Sequence, residues 1–156
     1  MDTIRFDCAP STVGDQWTTN IYINGTDLRA IISRIEARQL AAVNLGFING
    51  AYEGVSPFIA FHLYDHFFKE TVPEYWYDND RLTLFDYMFS GVPGDYSLAC
   101  RIDLGEDRVR WHGFRHFSTI YPRGFNYGDL SFTFVRAAYR AAIDYVKQHQ
   151  IQEMYV

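Results

Sequence analysis

No run of about 18 consecutive apolar residues, the length a spanning helix requires, occurs in this 156-residue sequence. No block of lysine and arginine occurs either, and the formal net charge is −5. Proteins that bind nucleic acid neutralise phosphates with clustered basic side chains, so neither a membrane nor a nucleic acid is the expected partner. The phosphate-cradling patterns GxxxxGK[ST] and GxGxxG are missing, as is the GxSxG nucleophile elbow; Ser90 lies in FSGV. Cysteine is scarce: Cys8 and Cys100 stand alone, without CxxC spacing. Two lone thiols read as small core residues in a reducing compartment, free and unbridged. The opening MDTIRFDCAP lacks the basic-then-apolar pattern of an export signal, so a cytoplasmic location is expected.

What the chain has in plenty is aromatic: 12 Tyr, 13 Phe and 3 Trp make 18% of it, beside 48% hydrophobic and 21% charged residues. The overall balance is that of a globular protein. A chain of this length reads as one domain, residues 1–156, and buries roughly 70% of its unfolded surface. No metal or disulfide is required to hold such a core. Abundant tyrosine suits half-buried positions and binding surfaces alike.

Alternation of Ile4 and Phe6 with Arg5 and Asp7 predicts a first strand. WTTNIYI, 17–23, predicts a second, paired antiparallel with the first. Asn24-Gly25 ends it, and Thr26 or Asp27 caps a helix reaching about Val43. Its core face is Leu28, Ile31, Ile32, Ile35 and Ala42, with Glu36 among the charged residues placed elsewhere. Pro57 suits the first turn of a second helix, to about Lys69. ETVPEYWYDND, 70–80, is an acidic aromatic loop, and three strands follow at 81–89, 97–104 and 108–117. TFVRAAYRAAIDYVKQ predicts a last helix with Phe134, Ala138, Ala141, Ala142 and Tyr145 inward. The order β-β-α-α-β-β-β-α with short connections predicts a two-layer α+β fold. Its antiparallel sheet has about five strands, with helices mainly on one face.

Asp103 to Val109 reads DLGEDRV, Trp111 to Arg115 reads WHGFR, Tyr127 to Phe134 reads YGDLSFTF, and Tyr139 to Ala142 has the form YxxA. With INGTDL at 23–28 and GAYEG at 50–54, the chain resembles a group of small bacterial proteins that have no assigned activity. The resemblance implies a shared fold and supplies no chemistry.

Few residues look chemical. His62 and His66 stand one helical turn apart in FHLYDHFF, a spacing that can share a metal on a helix. Yet Leu63 stands where zinc hydrolases place a glutamate, and Asp65 points about 100° from His66. His112 and His116 repeat the spacing on a predicted strand, where four residues span roughly 13 Å. No metal and no cofactor are therefore expected. Arg101, Arg108, Arg110 and Arg115 lie on the last two strands. Strict alternation puts Arg115 on the face of Val109, Trp111 and Phe117, where it needs a carboxylate such as Asp86. The favoured binding residues are Tyr75, Trp76, Tyr77, Asp78 and Asp80, because aromatic residues dominate binding hot spots and an acidic rim speeds encounter with a basic partner. The expected function is non-enzymatic: an interaction or accessory protein, immunity-like, that meets a basic protein. The alternative is an enzyme or small-ligand-binding protein with a pocket of Trp111, Arg115, His116 and Tyr127.

Overall fold

The alternation at the N-terminus becomes strand β1 (Ile4–Pro10), paired antiparallel with β2 (Trp17–Ile23) so that Phe6 lies opposite Ile21. The computed structural model describes residues 1–11, 16–40, 52–87, 96–118 and 124–154. Asn24 and Gly25 both take positive φ, 52° and 80°, as a two-residue hairpin turn demands. They return the chain into β3 (Thr26–Asp27). The Asp27 carboxylate then accepts the Arg29 backbone N–H at 2.9 Å, capping helix α1 (Leu28–Leu40) as the sequence predicts. The predicted extension to Val43, with Ala42, lies outside the described residues.

A six-stranded antiparallel sheet follows. Its order is β4 (Tyr52–Gly54), β6 (Arg81–Tyr87), β7 (Tyr96–Leu104), β8 (Arg108–Ser118) and β9 (Phe132–Val135), with β5 (Trp76–Tyr77) paired on β6. The three predicted C-terminal strands are β6, β7 and β8; the predicted end at 88–89 is outside the described residues. The two sheets are tied at both edges. On one side Thr19 N–H donates to Val55 O at 3.1 Å; on the other, Asp2 N–H donates to Thr133 O at 2.9 Å. The whole therefore curls round one aromatic core. Trp111 sits at its centre with no exposed surface, stacked on Phe67 and edge-on to Phe134. The Trp111 indole donates to the Tyr139 hydroxyl, which in turn donates to Phe67 O.

The fold is α+β and antiparallel, but the helices do not gather on one face. Helix α1 packs on β2 and β3, while α2 (Arg136–His149) packs on β1, β8 and β9. A curled sheet leaves no single flat face for both to share. The chain then closes with the short helix α3 (Ile151–Met154).

Three local readings change. The predicted helix at 57–69 is split into a π-helical turn, Phe58–Leu63, and a 3-10 turn, His66–Phe68, with Tyr64 extended between them. Successive helical side chains point about 100° apart, so His66, Phe67 and Phe68 could not all be buried on one α-helical stripe. The last helix begins only at Arg136, and its first predicted residues form β9. Its buried face is Tyr139, Ile143 and Val146, leaving Ala138, Ala141 and Tyr145 exposed. The larger side chains set the phase because they bury more apolar area than alanine.

The third change is in β8. Gly113, at φ +61°, shares with Phe114 the place opposite Cys100, since Arg101 pairs with His112 and Ala99 with Arg115. This bulge turns Phe114 and His116 inward and Arg115 out to solvent, away from the face of Trp111. Asp86 takes its hydrogen bond from Ser97 instead, at 2.7 Å.

At the junction of the sheets Gly54 is irreplaceable: a Cβ there would lie 1.8 Å from Thr19 O. Gly54→Ala should therefore destabilise by at least the roughly 1–3 kcal/mol of a typical overpacked site. Urea denaturation at unchanged m-value is the check.

Candidate functional site

The two histidines of FHLYDHFF do not face each other. His62 is exposed on the π-helical turn. His66 has no exposed surface, and both its nitrogens are engaged. Its Nε2–H donates to Thr83 O at 2.7 Å, so Nδ1 accepts the Thr71 hydroxyl at 2.8 Å. Burial pushes its pKa down to about 4, so the ring that makes the two bonds is neutral. Asp65 pairs with Arg140 and Lys147. His112 pairs with Asp103 on the outer face, while the bulge sends His116 inside. The Cys8 thiol is half-buried and pushed up to about 12 by desolvation, with Asp7 adding to it. Cys100 is buried and likewise raised. Neither has the depressed pKa of a reactive thiolate.

The acidic aromatic segment is more ordered than a loop. Val72 is extended, Pro73–Tyr75 make a 3-10 turn, and Trp76 and Tyr77 pair with Leu82 and Arg81. Asp78 and Asn79 turn the hairpin with positive φ, 53° and 69°. Tyr77 stacks on Phe117 with centroids 4.5 Å apart, and Tyr75 O accepts the Thr83 hydroxyl at 3.0 Å. Asp78 bridges Arg81 and Arg115, each at 2.8 Å, and Asp80 pairs with Arg101 at 2.7 Å. Trp76 is half-buried and packs against the core. An open groove of about 480 Å³ runs along Thr71, Pro73, Trp76, Asp78 and Asn79.

Of the alternative pocket residues, the structure brings His116 and Tyr127 into one cluster, with Trp111 deep in the core and Arg115 on the outer face. What joins the two is Glu36. This carboxylate has no exposed surface, and its Oε2 accepts both the Tyr52 and the Tyr127 hydroxyls at 2.5 Å. Tyr52, having spent its proton, accepts the Nδ1–H of His116 at 2.8 Å. Glu36 Oε1 is buried with no hydrogen-bond partner among the described residues. Burial pushes the Glu36 carboxyl up to about 7, against the pull of the Tyr127 and Tyr52 hydroxyls, and pushes His116 down to about 4. The arrangement can hold a proton on Glu36 near neutrality. The sequence did carry a signal for it: Leu28, Ile32 and Glu36 are four apart and share one helical stripe.

No family model, curated protein or solved structure matches the chain, so the resemblance drawn from its C-terminal motifs carries no family assignment.

The carboxyl and the imidazole pull stability in opposite directions with pH. Glu36, raised from 4.5, stabilises the fold at low pH and loses that contribution as pH rises through about 7. His116 and His66, both lowered from 6.5 to about 4, lose theirs as pH falls through that range. Between about pH 5 and 6.5 the folded protein holds on Glu36 the proton that the unfolded chain holds on His116, and the two slopes cancel. His66 remains uncompensated. Glu36→Gln removes the cancellation, so its stability should fall on acidification by about 1.4 kcal/mol per pH unit more than wild type. Denaturant midpoints of both proteins across this range measure the difference.

Proposed function

We propose that this is a non-enzymatic interaction protein of the accessory, immunity-like type, whose hairpin at residues 73–80 receives a basic protein. The observation that carries the reading is the groove beside Trp76. A half-buried tryptophan already fixed by strand pairing offers a partner large contact area at little entropic cost. Glu70 and Glu74 are exposed beside it and make no ion pair among the described residues. Their charge is free to attract a cationic partner, whereas that of Asp78 and Asp80 is already met by arginines on the sheet. Tyr77, stacked on Phe117, and Tyr75, packed against the core, help to fix the hairpin that carries Trp76.

A second reading, an enzyme or small-ligand-binding protein, draws on the Glu36–Tyr52–His116 chain, where a buried carboxylate oxygen lacks a partner. A thermal-shift screen tests it: the reading requires a ligand whose stabilisation disappears in Glu36→Gln.

The interaction reading sets two tryptophans apart. Trp111→Ala should cost about 3–5 kcal/mol, the range for a core tryptophan. Trp76→Ala should cost well under that, yet abolish retention of a basic protein that wild type retains and that salt releases. Equal destabilisation by the two substitutions in urea would make the hairpin tryptophan core and remove the reading's main site.

A further inference from the structure

Tyr75 lines a more enclosed cavity of about 100 Å³, together with Gln16, Trp17, Glu53, Ser56 and Asp86 among others. Strand pairing places Glu53 directly opposite Asp86, and like charges in that position repel. Asp86 is 7% exposed, and one of its oxygens is held by Ser97. Glu53 Oε1 is buried and has no hydrogen-bond partner among the described residues. A carboxylate oxygen left so is costly unless something cationic completes it.

No ion pair to Glu53 forms among the described residues. Arg29, whose charge interacts with Glu53, is held through its Nε and Nη2 by both oxygens of Asp27. Arg81, Arg101 and Arg115 are held by the hairpin acids. The walls favour an organic cation over a metal. Trp17 is 37% exposed, Tyr75 is half-buried, and ring faces attract ammonium and guanidinium groups. Hard metal ions want about six oxygen ligands instead. At about 30 Å³ per water, the cavity has room for roughly three, which fits one cationic head and excludes a nucleotide.

We propose that this cavity receives the charged end of a single lysine or arginine side chain, seated between Glu53 and Asp86 against Trp17 and Tyr75. It rests on the interaction reading only for its source, a side chain of the basic partner. The cavity's affinity for a cation stands or falls alone.

The test is a titration of purified protein with Nα-acetyl-lysine amide and Nα-acetyl-arginine amide, followed at the Gly54 amide and the Trp17 indole by NMR. Nα-acetyl-norleucine amide, of similar shape without the charge, is the control. Saturable shifts are expected with at least one of the cations and none with norleucine. Glu53→Gln should weaken binding roughly tenfold, the worth of one charge-assisted hydrogen bond. Trp17→Ala, at an exposed position that does not threaten folding, should weaken it too. Absence of saturation with both cations, equal shifts with norleucine, or unchanged affinity in both variants would overturn the proposal. No partner protein enters this experiment. Failure here with Trp76-dependent retention intact removes the cavity and leaves the hairpin reading; the converse result does the reverse.

Discussion

The bare backbone of Gly54 against Thr19 is the contact on which most of the molecule depends. Without a side chain there, β2 comes close enough for Thr19 N–H to reach Val55 O and for Gly54 N–H to reach the Thr18 hydroxyl at 2.7 Å. The junction turns two sheets into one curled surface. It also fixes the three residues of β4, whose side chains alternate between faces. Tyr52 then points inward to Glu36 and His116, while Glu53 points outward to Asp86. One short strand thus organises both the buried proton-holding chain and the small acidic cavity.

Glu36 imposes the second constraint. Tyr52 and Tyr127 reach it from positions 16 and 91 residues away, so helix α1 can dock only where both hydroxyls meet one oxygen. A buried carboxylate is a poor source of stability but a good source of register, because most other placements strand the charge. The pKa near neutrality relieves part of the cost, since the carboxyl can take up a proton instead of remaining charged. The same group is the reason the core's response to pH is divided between an acid and two histidines.

Elements held by local pattern were legible, and those set by distant contacts were not. Alternation alone located β1, β2 and the β6–β7–β8 meander, and Asn24-Gly25 announced its turn. The bulge was hidden because Gly113 sits inside a regular alternation, and only pairing with β7 shows two residues opposite Cys100. One residue of slip exchanged the faces of Arg115 and His116, and with them half of the alternative pocket. Residues 57–69 misled for a related reason: they satisfy a helix locally, but three consecutive side chains are claimed by the core. Glu36 was visible as spacing yet discounted as charge. A periodicity argument that keeps a charged residue on the apolar stripe, and then looks for tyrosines to meet it, would have found the chain.

The hairpin places its charge differently from what its composition suggests. Its acids looked like a rim awaiting a cation, but Asp78 and Asp80 already face arginines on the sheet. Such exposed pairs gain little against solvent screening and cannot by themselves fix the segment. Stacking of Tyr77 on Phe117, the pairing of β5 with β6 and the packing of Trp76 hold it in place. The ion pairs act mainly on charge: they cancel the centre of the hairpin and leave Glu70 and Glu74, on the chain leading into it, without an ion pair among the described residues. A basic surface approaching this side would meet its free negative charge there.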